Sequence, residues 1–124
     1  MQKMPSFVVE ESLNSVRVFW LKRDELIEAL KKRAQEVGKS DPKVVKIVLF
    51  GSLAEGRAVP NSDADVLILL KKDDRPIFDR ISEYLEKFDI GFPVEVFPYT
   101  VDERNPIVEN ALKRGIVLFK REVE

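Results

Sequence analysis

The feature that most constrains this chain is a pair of apolar runs joined by a loop that begins with Gly51-Ser52 and ends with Asp63-Ala64-Asp65. Residues 44–50, before the loop, are rich in β-branched side chains and predict a buried strand, and Gly51 lets the backbone turn sharply after it. Residues 65–70 predict a second strand. Because side chains alternate across a strand, Asp63 and Asp65 are expected to project to the same side.

The negative charges of two carboxylates placed in this way must be offset. At about 4 Å and an effective dielectric near 20, two like charges repel by roughly 4 kcal/mol, so the pair needs a cation, a shared proton or full solvation. Mg²⁺ suits such a pair, because it prefers oxygen ligands and usually takes one or two protein carboxylates beside substrate phosphates. The alternative is that both aspartates lie in a solvated turn at the start of a strand.

The Gly-Ser turn supports a phosphate site. Ser52 and Glu55 fit a capping box in which Ser52 is the N-cap of a short helix that Gly56 ends. This structural interpretation is compatible with phosphate binding, because the free N–H groups at a helix start also attract anions.

The motif resembles that of the minimal nucleotidyltransferases (MNT) of the DNA polymerase beta superfamily. Their signature is Gly-Ser, ten residues and then Asp-x-Asp, and residues 51–65 match this spacing. The resemblance implies nucleotidyl transfer from a nucleoside triphosphate such as ATP to a hydroxyl. It implies that Asp63 and Asp65 hold two Mg²⁺ ions and that Gly51 and Ser52 bind the β- and γ-phosphates.

The family also uses a third carboxylate on a later strand, for which the candidate here is Glu95. Alternation places Glu95 on the face opposite Val94 and Val96, and the resemblance implies that it binds the acceptor-side metal and takes the hydroxyl proton. The alternatives are that Glu95 is an exposed acid on an edge strand, or that Asp89, at the end of a helix, takes this role.

The chain departs from its relatives after the Gly-Ser pair. It has Leu53 and Glu55 where relatives commonly carry arginine. Arg57 is the nearest cation in the loop and is a candidate for binding the triphosphate. A surface ion pair with Glu55 explains the presence of this arginine equally well.

Composition limits the other possibilities. A chain of 124 residues with 44% hydrophobic content predicts one domain spanning residues 1–124. Its net charge of -1 disfavours nucleic acid as the main partner. Without cysteine or histidine, carboxylates must carry the acid–base and metal chemistry. The absence of cysteine and of a long apolar stretch favours a cytoplasmic protein with no membrane association.

The predicted architecture is an α/β (α+β) nucleotidyltransferase domain, with a small mixed β-sheet and helices packed on one face. Residues 1–18 indicate no clear element. The remaining predicted elements are a helix over 22–37 stopped by Gly38, a helix over 77–88, a strand over 93–98, a helix from Asn105-Pro106 to Gly115 and a strand over 116–119.

Three functions follow as hypotheses. The resemblance favours adenylylation of a partner protein, with the chain as antitoxin of an all-helical HEPN toxin. The alternatives are an adenylyltransferase for a small molecule such as an aminoglycoside, and a partner-binding module without catalysis. A partner or a second copy would complete the substrate cleft, through the segment around Phe19 and Trp20 or through the helix face of residues 77–88.

Overall fold

The computed structural model describes residues 7–14, 16–59 and 62–122. Pro60 and Asn61 of the motif loop lie outside the described residues, as do residues 1–6 of the N-terminal segment. The strands are Val8–Leu13 (β1), Val16–Leu21 (β2), Val44–Phe50 (β3), Ala64–Leu70 (β4), Val94–Thr100 (β5) and Ile116–Lys120 (β6). The helices are Arg23–Ser40 (α1), Gly51–Ala54 (α2), Ile77–Lys87 (α3) and Pro106–Arg114 (α4).

A four-stranded mixed sheet with the order β5-β4-β3-β6 forms the centre of the fold. Strand β3 is antiparallel to both β4 and β6, whereas β4 and β5 are parallel and are connected through α3. The predicted α+β class and mixed sheet are confirmed. The four predicted strands are present; β4, β5 and β6 each extend one or two residues beyond the predicted range at one end, and β5 begins one residue later than predicted.

Both faces of this sheet are buried. On one face, Ile47 and Leu49 of β3 pack in a core with side chains of α1 and α3. On the other face, Val48 and Phe50 pack against α4. The prediction that the helices share one face is therefore correct for α1 and α3 but wrong for α4. The reason is that β3 is apolar on both sides, so each side needs its own cover.

The N-terminal segment, for which the sequence indicates no clear element, forms a β-hairpin. Strands β1 and β2 pair antiparallel in a separate two-stranded sheet, with Val8 opposite Leu21. Its turn contains Asn14, whose φ of 47° lies in the left-handed region that asparagine tolerates. The strand pattern was hidden because two adjacent acids, Glu10 and Glu11, interrupt the alternation of polar and apolar residues in β1.

Gly38 does not end α1, which continues to Ser40. Gly38 is buried, and a Cβ added to it would overlap the ring of Phe119 on β6. The glycine therefore provides room for helix–sheet packing rather than a helix stop. The start of α4 is as predicted, because Oδ1 of Asn105 accepts a hydrogen bond from the N–H of Val108 at 3.0 Å and Pro106 follows it. No helix among the described residues is long and apolar enough to cross a membrane.

Candidate active site

The turn from β3 into α2 brings the Gly-Ser pair against the motif aspartates. Phe50, the last residue of β3, is paired with Asp65 on β4, so Gly51 emerges next to this carboxylate. Gly51 has a φ of 78°, and a Cβ added to it would overlap Oδ2 of Asp65. Glycine is therefore required here both for its backbone conformation and for the close approach of Asp65.

The predicted capping box is not formed. Helix α2 already begins at Gly51, its N-cap is Phe50, and no side chain caps it, so Ser52 lies inside the first turn. The carbonyl of Ser52 accepts a hydrogen bond from the N–H of Arg57 at 2.8 Å, which holds the following loop against α2. The predicted end is correct, because Gly56 has a φ of 75° just after the helix.

Two of the three candidate acids, Asp65 and Glu95, lie side by side in the sheet, and the third is close to them. Asp65 is half-buried on β4, and Asp63 is exposed just before this strand, near enough for its charge to act on Asp65. The parallel register of β4 and β5 sets Glu95 directly beside Asp65. Asp89, the alternative to Glu95, lies after α3 and is not among the charges that act on Asp65.

The electrostatics of this cluster are unfavourable in the protein by itself. Burial raises the pKa of the Asp65 carboxyl, and the charges of Glu95 and Asp63 raise it further. Among the hydrogen bonds and ion pairs of the described residues, none involves any of the three side chains, so no cation in that part of the chain is paired with them. A carboxyl perturbed in the way that Asp65 is perturbed is typical of functional sites.

The donor set fits a divalent cation that is shared with a substrate. All three groups are hard oxygen ligands, which Mg²⁺ prefers. In the part of the chain that the structure describes, no group of three or more His, Cys, Asp and Glu side chains is arranged to hold a metal ion by itself. Mg²⁺ usually takes one or two carboxylates and completes its shell with water and phosphate oxygens.

Two arginines lie near the Gly-Ser turn, both paired with Glu55. Nη2 of Arg57 is 3.3 Å from Oε2 of Glu55, as the structural interpretation of the sequence predicts, and Nη1 of Arg114 is 3.9 Å from Oε1. Leu53 is 1% exposed and belongs to the core, so its side chain is not available to a phosphate. Sequence reasoning missed Arg114, because only the packing of α4 brings it to this turn.

Arg23 is a second residue that the sequence did not reveal. Its Nε donates to the carbonyl of Leu53 at 3.0 Å, and its Nη2 donates to the carbonyl of Ala54 at 3.1 Å. These bonds satisfy carbonyls at the end of α2, which lack partners within the helix. Arg23 therefore fixes α2, and with it Gly51 and Ser52, against the start of α1.

A mixed sheet that carries acids on two adjacent strands, facing a Gly-Ser turn, defines a domain of the nucleotidyltransferase fold. The family model described as "Polymerase beta, Nucleotidyltransferase" matches residues 32–124, and the chain belongs to that family. It is an enzyme of the nucleotidyltransferase class. Enzymes of this family generally use a nucleoside triphosphate and a divalent metal ion.

Individual relatives agree with this assignment. "Putative protein adenylyltransferase MJ1379" of Methanocaldococcus jannaschii is 30% identical over 96 residues, covering 75% of this chain and 93% of that protein. A crystal structure of a "putative nucleotidyltransferase" from Sulfolobus solfataricus shares the fold, with a TM-score of 0.64 and 24% identity over 80% of this chain and 84% of that chain. A chain from a toxin-antitoxin crystal structure with AMP-PNP has a TM-score of 0.46 and 20% identity over 82% of this chain and 76% of that chain, too low for inference.

Proposed function

We propose that this protein transfers AMP from ATP to a hydroxyl group of a partner protein, with Mg²⁺ bound at Asp63 and Asp65. The observation that carries the proposal is that Glu95 lies beside Asp65 in the sheet, next to the turn at Gly51, with Asp63 near enough for its charge to act on Asp65. The relative from M. jannaschii, named as a protein adenylyltransferase, supports a protein as acceptor.

Each residue has a defined task in this reaction. Asp63 and Asp65 supply oxygen ligands, while Gly51 and Ser52 bind the β- and γ-phosphates, and Glu95 receives the proton of the acceptor hydroxyl. The acceptor oxygen bonds to the α-phosphorus as the bond to the bridging oxygen of the β-phosphate breaks, and pyrophosphate leaves. When bound, Mg²⁺ offsets negative charge on the phosphates and favours ionisation of the hydroxyl.

Phosphate charge is also met by side chains around α2. Arg57 and Arg114 share Glu55 as their ion-pair partner in the protein without nucleotide. Both arginines are more than half exposed, so turning from Glu55 to a phosphate costs them little. They take the place of the arginines that relatives carry after the Gly-Ser pair.

The partner we propose is an all-helical HEPN protein, with this chain acting as its antitoxin. Two features support a protein partner. The sequence motif resembles that of MNT antitoxins, and the hairpin exposes large apolar side chains, with Phe19 49% and Trp20 45% exposed. Aromatic side chains, tryptophan above all, are frequent anchors in protein–protein interfaces.

The test is transfer of label from [α-³²P]ATP to an all-helical HEPN protein, taken from the gene beside this one if such a gene lies there. We expect label on that protein in the presence of Mg²⁺ and its loss with Asp63→Asn or with Asp65→Asn. Asp74→Asn is the matched control, since Asp74 is an exposed aspartate that follows the end of β4 opposite to Asp65, and it should leave transfer unchanged. Equal labelling by the wild type and by both site variants would exclude the proposed role of these aspartates.

A further inference from the structure

The outward backbone N–H and carbonyl groups of β5 differ between the two halves of the strand in whether they have hydrogen-bond partners. Strand β5 is at the edge of the described sheet, next to β4. The N–H of Ala64 donates to the carbonyl of Pro93 at 2.9 Å, and the N–H of Val101 donates to the carbonyl of Leu70 at 2.8 Å, so odd-numbered residues of β5 face β4. Backbone groups of successive strand residues point to opposite edges, so the even-numbered residues face outward.

The second half of this edge is closed. Pro98 has no N–H, and its carbonyl accepts a hydrogen bond from Nη1 of Arg80 at 3.2 Å. The N–H of Thr100 donates to Oε1 of Glu103 at 2.8 Å, and its carbonyl accepts from the N–H of Glu103 at 3.0 Å. Proline and covering side chains are the usual means by which a sheet prevents another chain from adding to its edge.

The first half of the edge is open. Across the described residues, no hydrogen bond engages the outward N–H or carbonyl of Val94 or of Val96. These two residues flank Glu95, which lies beside Asp65 in the sheet. Among the described residues, the outward backbone groups of β5 that have no partner are therefore those that adjoin the candidate active site.

An apolar groove of ≈ 230 Å³ runs beside this open stretch, between β5 and α3. Ile77, Ile81 and Leu85 form its α3 wall. Val96 is 3% exposed and Leu85 is 44% exposed. A chain added at this edge would therefore cover the exposed side chain of Leu85, and the buried side chain of Val96 would stay in place. A segment lying along β5 would alternate its side chains, one set towards α3 and the other towards the face of Glu95.

The geometry points to an acceptor that binds as an added β-strand: an extended segment of the acceptor protein pairs through its main chain with Val94 and Val96. Apolar side chains of the segment occupy the groove at α3, and a hydroxyl-bearing residue between them lies beside Glu95. The acids of the site favour a neutral or basic segment. The inference rests on the proposed function, because the segment carries the hydroxyl that receives AMP.

A second copy of this chain is the competing occupant of the edge. Antiparallel pairing of two β5 edges about this stretch would set Glu95 opposite Glu95 of the other copy. Like charges directly opposite each other across a strand pair are destabilising. The acid that makes the edge suitable for an acceptor therefore disfavours self-association through it.

The experiment uses a library of short neutral and basic peptides, each with one central tyrosine, serine or threonine, and measures AMP transfer from labelled ATP. We expect the labelled peptides to carry apolar residues on both sides of the hydroxyl-bearing residue. The best peptide is then N-methylated at each amide in turn. In the bound segment, the amides of every second residue point towards β5. Methylating one of these should lower kcat/KM by roughly 3- to 10-fold, the effect of losing one hydrogen bond, whereas methylating an amide that points away should leave kcat/KM unchanged.

Variants of the protein provide an independent readout. Val94→Pro removes an outward N–H at the first residue of the strand, where proline is tolerated, and should lower kcat/KM for the peptide without changing the affinity for ATP. Leu85→Ala should raise the KM for the peptide by about fivefold. Val117→Ala is the matched control, because Val117 is 46% exposed on β6 at the other edge of the sheet.

Amide exchange measured by NMR separates the outcomes. The amides of Val94 and Val96 should exchange more slowly when the peptide is added. Strand addition would be overturned if methylating either set of alternate amides had the same effect. It would also be overturned if no peptide were labelled and no amide of β5 were protected. Protection that rises with protein concentration alone, with a dimer in sedimentation, would overturn it in favour of self-association. Amide protection without AMP transfer to any acceptor would instead refute the proposed function and retain the docking site.

Discussion

Replacing Gly51 with alanine should destabilise the protein in two ways, and comparison with Gly56→Ala separates them. The first is backbone strain, because Gly51 has a φ of 78°. The second is overlap, because the new Cβ would meet Oδ2 of Asp65. Gly56 provides the matched comparison, since its φ is 75° but a Cβ there would meet nothing within 4 Å.

The two costs can be estimated separately. A left-handed backbone costs a non-glycine residue about 1–2 kcal/mol, and alanine recovers about 0.4–1 kcal/mol by restricting the unfolded chain. Gly56→Ala should therefore lower the free energy of unfolding by about 1 kcal/mol. In Gly51→Ala, Asp65 must also leave its rotamer, which adds about 0.5–1.5 kcal/mol. The expected total of about 2 kcal/mol lowers the melting temperature by roughly 6–10 °C in a domain of this size.

The effect on transfer should differ more than the effect on stability. Displacing a reacting or ligand group by about 1 Å can cost on the order of 100-fold in rate, so Gly51→Ala should lose most of its transfer activity. Gly56→Ala should retain it. Thermal unfolding monitored by circular dichroism, together with AMP transfer at saturating ATP, measures both quantities for each variant.

A double-mutant cycle with Asp65→Ala tests the cause. Because this substitution removes Oδ2, adding Gly51→Ala to it should then cost only the backbone strain, as at Gly56. The coupling free energy between the two sites should be about 1 kcal/mol. Equal melting temperatures of Gly51→Ala and Gly56→Ala, or a coupling free energy near zero, would refute the argument from overlap.

Three further predictions concern charge at the site. Asp65→Asn should raise the melting temperature of the metal-free protein at pH 7, because burial and nearby acids raise the pKa of Asp65 and its ionised form destabilises the fold. The gain should vanish below about pH 4, where Asp65 is protonated, and a gain that persists there would contradict this cause. Glu95→Gln should lower transfer by about 100-fold while the Kd for ATP, measured by calorimetry, stays within about twofold; wild-type turnover would remove Glu95 from the mechanism. Glu55→Gln should tighten ATP binding by about 2- to 5-fold by releasing Arg57 and Arg114, and an unchanged Kd would exclude both from the phosphate site.

Local patterns were sufficient for most of the elements. The β-branched run of 44–50 predicts β3, and Asn105-Pro106 predicts the start of α4, because strand and cap preferences depend on neighbouring residues. Alternation along a strand also places Asp63 and Asp65 on one side without knowledge of the rest of the fold. The match to the family motif adds the expected chemistry of these acids.

Patterns that depended on distant contacts were misread. Gly38 resembles a helix stop, but it lies against the ring of Phe119 on β6, the last strand of the chain. The capping-box pattern at Ser52 is present in the sequence, but α2 begins two residues earlier, with Phe50 as its N-cap, because Gly51 already adopts the turn conformation beside Asp65. Neither competing contact is visible in the neighbouring sequence.

The sequence by itself determined which side chains of this protein offer carboxylate oxygens and on which side of a strand each strand residue projects, because these are properties of residue type and of strand alternation. Only the tertiary structure decided that Glu95 lies beside Asp65, that α4 covers the second face of the sheet and brings Arg114 to Glu55, and that the open edge of β5 adjoins the acids. The physical reason is that register and helix placement are set by burying apolar surface contributed by distant segments. No local pattern encodes these distances.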